Sequence, residues 1–375
     1  MEETLVPPSS LSSTSDHTND VSLHSPPLPT LPLDLLSEIL CRLPVKLLLQ
    51  LRCLCKFFNT LISDSKFTKK HLHMSANRHH LILSSRDESH LMSYPLHSIF
   101  NSVTINATKL HLPFKQQSYF IVGSCHGILC LVPFRHPVVL WNPSIRNFTK
   151  LPSLENPIKV SYTSYGFGYV PLTDNYKVVA VLNHLRGNGP YHARIKVHTL
   201  GTNYWRMIEG NFPVAYDMSL KFVGCTLNWF VYSDPIYSVV SFNLVNESHR
   251  KLLPPNFGGE DGYHVSLGVL RDCLCIYGRS SAFHIVWLMK EYGNEESWIK
   301  LFCVSYRKYP FNYPHIKPIW IYEEDQVLME CWSHLKQKKD YSVYGFKNGT
   351  FMIPMTKQIN GWNTVYVESL VSPCF

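Results

Sequence analysis

No stretch of this 375-residue chain approaches the run of about 18 apolar residues that a membrane-spanning helix needs. Charged residues are scarce, at 17% against 45% apolar, so the chain can bury a sizeable core and a mainly disordered protein is excluded. The opening MEETLVPPSS lacks the basic start and apolar centre of a secretory signal. The 11 cysteines are therefore expected as reduced thiols in the cytoplasm, the nucleus or both. Without secretion, the sequons that begin at Asn106, Asn147, Asn246 and Asn348 carry no meaning. No Cys-x-x-Cys pair is present, which argues against structural zinc. No Gly-Lys-Ser/Thr string is present either, which removes a phosphate-cradling P-loop. The net charge is only +8; acidic and basic side chains balance at seven each through Ser75, and the excess is scattered beyond it without forming a run. That distribution reads as a solvated surface, and neither nucleic acid nor membrane is expected as a partner.

Aromatic residues reach 13%, with 21 Tyr and 20 Phe, a bias toward strands. Frequent turns follow from 25 Pro and 18 Gly. The chain divides into three parts. Residues 1–27 are Ser, Thr, Pro, Asp and Asn with few apolar positions, a composition expected to stay disordered. Residues 28–74 carry helical periodicity, and from 78 to 375 short apolar-aromatic runs alternate with turn residues.

In the helical part, Thr30 can cap and Pro32 can occupy the first turn, where its missing N–H is not needed. Asp34 and Glu38 suit the positive end of the helix dipole. Leu35, Leu36, Ile39, Leu40 and Leu43 recur at helical spacing, and Pro44 stops this helix and opens the next. A second helix holds Leu47, Leu48, Leu51 and Leu54; a third begins near Cys55–Lys56 and carries Phe58, Leu61 and Ile62. Three short helices make a small core, yet the segment is very rich in leucine. Two readings follow: a partner covers the surplus apolar surface, or the helices pack on the rest of the chain.

The string LPLDLLSEILCRLPVKLLLQLRCLCK (Leu31–Lys56) resembles the F-box of plant F-box proteins. The resemblance implies docking on a Skp-type adaptor, and through it on cullin and RING subunits. Carried over position by position, the adaptor face would comprise Leu31, Pro32, Leu35, Ile39, Leu40, Leu43, Pro44, Leu48, Leu51, Leu54, Cys55 and Phe58. An apolar anchor cluster with few charges at its centre suits such an interface. The family usually has Ser at the position of Leu47 and Trp at that of Phe58.

The remainder contains six related strings: SHLMSYPLHSIFNSVTI, VVLWNPSIRNFTKLP, IKVHTLGTNYWRMI, VVSFNLVNESHRKLLP, FHIVWLMKEYGNEESWIKLF and YSVYGFKNGTFMIP. Their period of about 50 residues is in the range of kelch-like blades. Asn348–Gly349 is a favoured tight hairpin turn, and Gly201 with Asn203 is another. Other strand-like runs between copies, among them YFIVGS, GILCLV, YKVVAVL and CLCIYG, supply about four strands per period. No long amphipathic helix separates them, which disfavours a parallel α/β sheet. The run Thr364–Ser372 could pair with early strands and close a ring. A two-sheet sandwich is the alternative. The expected fold is an α+β multidomain chain: a small three-helix F-box followed by an all-β propeller of about six blades.

From about residue 80 onward, GSCHGILCL, LWNPSIRNFTKLP, YGFGYVPLTDNYKVV, LGVLRDCLCIYG and VYVESLVSP resemble the F-box-associated, kelch-like domain of plant F-box proteins. The only glycine doublet is Gly258–Gly259, whereas a diglycine in each blade is the kelch habit. The resemblance implies recruitment of a protein target for ubiquitination and a non-catalytic specificity subunit, without cofactor or metal.

Gly123-Ser124-Cys125-His126-Gly127 fits Gly-x-Cys-x-Gly, which would make Cys125 the nucleophile of a thiol hydrolase; that needs a strand–turn–helix, whereas ILCLVPF after Gly127 reads as a strand. Cys53/Cys55 and Cys273/Cys275 are spaced Cys-x-Cys, the first pair expected as small packing residues. His71, His73, His79 and His80 cluster near the link between domains and read as solvated. Gly166-Phe167-Gly168 lacks the third glycine of a dinucleotide loop. A further alternative is an adaptor-binding interaction protein with no role in degradation. Target contacts belong on variable loops, with His184–Tyr191 and Asn256–Tyr263 as exposed candidates; the target-binding residues are not readable from one sequence.

Overall fold

The computed structural model describes residues 31–74, 78–84, 90–101, 105–114, 119–134, 136–154, 160–184, 191–233, 236–256, 264–280, 282–305, 315–333, 338–359 and 361–374. The expected tail 1–27, Thr30, the Gly258–Gly259 doublet and most of the loops His184–Tyr191 and Asn256–Tyr263 lie outside them.

Helices α1 (Leu33–Cys41), α2 (Val45–Arg52), α3 (Lys56–Ser63) and α4 (Ser65–His73) come first. Pro32 stands just before α1 with extended ψ, and its carbonyl accepts from Leu36 N at 3.0 Å. Pro44 plays the same part for α2. The fourth helix is a correction to the three expected. Asp64 starts it by accepting from Lys66 N at 2.9 Å and Phe67 N at 3.1 Å, and it buries Phe67 and His71 at i, i+4.

Blade 1 contains β1 (His79–Ser84), β2 (His90–Pro95) and β3 (Thr108–His111), with a short helix α5 (Leu96–Asn101) after β2. Blade 2 contains β4 (Tyr119–Cys125), β5 (Ile128–Pro133), β6 (Val139–Asn142) and β7 (Asn147–Lys150). Blade 3 is β8 (Tyr162–Val170), β9 (Asn175–His184), β10 (His192–Thr199) and β11 (Arg206–Phe212). Blade 4 is β12 (Lys221–Val223), β13 (Thr226–Ser233), β14 (Ile236–Asn243) and β15 (His249–Leu252). Blade 5 is β16 (His264–Leu270), β17 (Cys273–Arg279), β18 (Phe283–Met289) and β19 (Trp298–Ser305). Blade 6 is β20 (His315–Tyr322), β21 (Gln326–Ser333), β22 (Lys338–Gly345) and β23 (Thr350–Ile359). The last strand, β24 (Asn363–Val367), pairs antiparallel with β1, Leu81 opposite Val365, and completes blade 1. The chain is thus a six-bladed β-propeller behind a helical unit, closed by its C-terminal strand.

Closure is also visible in the packing. Six buried clusters each lie between one pair of neighbouring blades, all the way round. Successive side chains of a strand point to opposite faces, so a blade between two neighbours needs apolar residues on both. In β1, Leu81 and Leu83 face blade 6 while Ile82 faces blade 2. In β9, Val178 and Ala180 face blade 2 while Val179 and Val181 face blade 4. This is why the middle strands read as continuous apolar runs. Gly168 allows the same closeness, since a Cβ there would meet the Phe222 ring; Gly166–Gly168 is therefore a packing feature of β8.

Five of the six related strings fall on the third and fourth strands of blades 2–6. The first is corrected: Leu96, Ile99 and Phe100 have helical spacing and form the buried side of α5, and the outer strand comes later. Asn348–Gly349 is corrected too. It lies in the link between paired Gly345 and Thr350, with positive φ at Gly349 (69°) alone of the two. Among the described residues, His126–Gly127, Gly224–Cys225 and Arg271–Asp272 form two-residue hairpins, each with positive φ at both residues.

Candidate functional site

Apolar doublets organise the helical unit. Neighbours on a helix lie about 100° apart, so one residue of a doublet can face the core while the other faces water. Leu35–Leu36, Ile39–Leu40, Leu47–Leu48 and Phe57–Phe58 all follow the same order: the first residue is exposed and the second is buried or half-buried. Inward lie Leu40, Cys41, Val45, Leu48, Ile62 and Phe67, packed with Leu370 from the segment after β24 and with Ile145 from the β6–β7 turn.

Of the expected adaptor face, Leu31, Pro32, Leu35, Ile39, Pro44, Leu54 and Cys55 are exposed, with Leu54 at 70%. Leu43, Leu51 and Phe58 are half-buried. Leu40 at 4% and Leu48 at 0% are corrected: they form the floor beneath the face, because each is the inward member of its doublet. Leu33, Leu47 and Phe57, which sequence reasoning left out of the expected face, are exposed as well. The doublet pattern itself was the available signal. Of the two readings given for the leucine surplus, packing on the rest of the chain holds in part, since one side packs on the unit's own core and on Leu370; the other side is exposed.

The unit is held in shape and tied to the ring by polar contacts. Glu38 of α1 pairs with Arg42 at 3.2 Å and with Lys70 of α4 at 2.7 Å, and the Lys70 hydrogen bond leads in holding its carboxyl below the usual range. Arg78, just before β1, donates to the Leu43 carbonyl at 2.9 Å and to the His71 carbonyl at 2.6 Å. Lys69 reaches Asp174, in the β8–β9 turn, at 2.5 Å. Behind the unit runs residue Ser369, whose hydroxyl donates to the His126 carbonyl at 2.7 Å, while Asn142 Nδ2 donates to the Ser369 carbonyl at 3.0 Å and the Val371 carbonyl at 2.8 Å.

The thiol-hydrolase alternative loses its geometry. Cys125 closes a strand–turn–strand hairpin, opposite Ile128. It is buried, and that burial pushes the thiol up to about 12, the reverse of an activated nucleophile. The His126 ring lies 3.0 Å from Tyr176 OH. Cys273 and Cys275 pack into the apolar seam between blades 5 and 6, whereas Cys53 and Cys55 are exposed and do not pack as expected. His71 meets Leu43 and Arg78, His79 lies against Trp320, and His80 contacts Ser93. Among the described residues no group of three or more His, Cys, Asp or Glu side chains is placed to hold a metal.

Two family models match: the F-box domain over residues 28–70, and the F-box associated beta propeller domain over residues 80–373. The F-box/kelch-repeat protein At3g23880 of Arabidopsis thaliana is 31% identical over 365 residues, spanning 92% of this chain and 96% of its own length. The F-box protein CPR1 of the same plant is 30% identical over 354 residues, 83% of each chain. With its leucine-faced helices seated on a closed ring of six sheets, the chain belongs to the plant F-box proteins that carry an F-box associated β-propeller domain.

Proposed function

We propose that this protein is the substrate receptor of a Skp–cullin–F-box ubiquitin ligase. Proteins that join an F-box to a β-propeller generally act in that way, and their homologues are typically non-catalytic adaptors. The observation that carries the reading is the row of exposed apolar residues on α1–α3, Leu35 and Ile39 above all, left uncovered by the chain's own core. A Skp-type adaptor covers that row, and cullin and RING subunits follow through it. The propeller binds a protein target and holds it near a ubiquitin-charged enzyme, so the rate gain comes from effective concentration. The setting is cytoplasmic, nuclear or both.

The test is reconstitution. The full chain, co-expressed with a Skp-type adaptor, cullin and RING subunits, is expected to co-purify with them, and the half-life of captured targets should lengthen when Leu35 and Ile39 become glutamate. Adaptor binding by the wild type, lost in the double variant without any change in target half-life, would mean an interaction protein without a degradation role.

A further inference from the structure

The turn between α2 and α3 carries two exposed thiols that docking does not require. Cys53 follows the last residue of α2, and Cys55 stands just before the first residue of α3. Cysteine is among the residue types most often buried, and Cys41, Cys125, Cys130, Cys275 and Cys331 follow that habit. Cys53 and Cys55 do not. Both are exposed, on either side of Leu54 in the expected adaptor face.

The main chain of this turn is held by the two helices. Cys53 N donates to the Gln50 carbonyl at 3.0 Å, Leu54 N donates to the Leu51 carbonyl at 3.0 Å, and the Cys55 carbonyl accepts from Asn59 N at 3.1 Å. The Cys53 thiol donates to the Leu49 carbonyl at 3.4 Å, while Cys55 makes no side-chain bond to the start of α3. The fold of the turn thus depends little on either sulfur. A group added there changes the surface and leaves the helices in place.

The surroundings favour an anionic reagent. From Val45 to Ser63 the sequence has Lys46, Arg52 and Lys56 and no Asp or Glu. Arg52 and Lys56 adjoin the two cysteines directly, and Lys46 and Lys56 are exposed. Accessible thiols in electropositive surroundings are the ones that exchange with disulfides. A second thiol close by is a common feature of redox-sensing sites. The other two exposed thiols are single. Burial pushes the Cys303 thiol up against the opposing influence of Lys300, and Cys374 donates to the Phe148 carbonyl at 3.4 Å.

We propose that the Cys53–Cys55 turn is a thiol-modification site that takes a glutathionyl group from glutathione disulfide, and that this group closes the adaptor face. The thiolate of Cys53 or Cys55 attacks one sulfur of glutathione disulfide. A new S–S bond forms, the old one breaks, and glutathione departs as a thiolate that takes up the proton given off by the cysteine. The chain's sulfur is oxidised and the departing sulfur reduced. The adduct sets a charged tripeptide beside Leu54, where docking would bury its carboxylates without partners. Adaptor and glutathionyl group therefore exclude each other, and reduced glutathione reopens the face by the reverse exchange. The proposal rests on the substrate-receptor reading and adds the regulation of the same face.

The test treats the full chain with glutathione disulfide, reads the products by peptide mass and measures the affinity of a Skp-type adaptor before and after. The adduct is expected on the peptide that holds Cys53 and Cys55. Adaptor affinity should then fall at least about tenfold and return with reduced glutathione. A preformed adaptor complex should acquire the adduct at least about tenfold more slowly. The double variant Cys53→Ser, Cys55→Ser, compared only with itself, should show one adaptor affinity before and after treatment. The wild-type loss and the protection by adaptor keep the test decisive if that variant disturbs folding. No adduct, adduct confined to Cys303 or Cys374, an internal disulfide without glutathione, or an adduct that leaves adaptor affinity unchanged would overturn the proposal. An untreated chain that fails to hold the adaptor would remove the receptor reading and the gate with it, while the adduct mass still decides the thiol site.

Discussion

Arg78 donates a hydrogen bond to the Leu43 carbonyl across 2.9 Å. The same guanidinium donates to the His71 carbonyl, and the Arg78 carbonyl accepts from Glu368 N at 3.1 Å. One residue thus joins the α1–α2 turn, the last turn of α4 and the segment after β24. Arg78→Ala is expected to destabilise the helical unit by about 1–3 kcal/mol, the range for leaving part-buried carbonyls short of a donor. Arg78→Lys should recover only part, because an ammonium lacks the planar fork that serves two acceptors. Limited proteolysis between α4 and β1 reads the loosening directly.

Acid should unseat the same junction. His71 is buried, and burial, helped by the Arg78 cation and opposed by the Leu43 carbonyl, holds its pKa down to about 4. The unfolded ring titrates near its ordinary value of about 6.5. Between those values the unfolded state binds more protons, so stability is full above about 6.5 and falls as pH drops toward about 4. From about pH 7 to about pH 5 this ring accounts for a loss of about 2 kcal/mol. His80, also lowered to about 4 by burial, adds to the total. The decisive quantity is the difference: His71→Gln should lose about 2 kcal/mol less than wild type across that range in denaturant melts.

Adjacent residues should behave oppositely. Leu40 is inward and Ile39 outward. Leu40→Ala is expected to cost about 2–5 kcal/mol through the cavity it leaves, whereas Ile39→Ala should stay within about 0.5 kcal/mol. Thermal unfolding followed by helical circular dichroism separates the two.

This contrast also marks how far the sequence could be read. The blades were legible because a repeated seam needs apolar residues on both faces, as at Val178–Leu182, and that need recurs along the chain. Closure through Thr364–Val367 was legible for the same reason. The inward or outward sense of Leu40 and Leu48 was not, because each has an apolar sequence neighbour that could equally take the core side; both pack in one cluster with Leu370, distant in the chain. Helix α4 was hidden by its polar composition, since only Phe67 and His71 are buried and its start depends on Asp64. Lys317, Glu330 and Asn363 meet from three separate strands, a convergence no local pattern announces.

Gly127 should tolerate no side chain. Its φ is +81°, and a Cβ there would meet Ser369 Oγ at 2.4 Å and the Val367 carbonyl at 2.5 Å. Gly127→Ala is therefore expected to displace the segment around Ser369 and cost at least about 1–2 kcal/mol. Hydrogen exchange should rise at residues 368–371 and at the helical core that rests on Leu370, with blades 4 and 5 unaffected.

The most direct measurement is the affinity of a Skp-type adaptor for the full chain carrying Leu35→Glu and Ile39→Glu, by titration calorimetry beside wild type. Both positions are exposed, so the thermal midpoint should hold while affinity falls at least about 30-fold, as for loss of an interface anchor of about 2 kcal/mol. Wild-type affinity in a folded double variant would contradict the account, because the outward leucine row would then have no partner to serve.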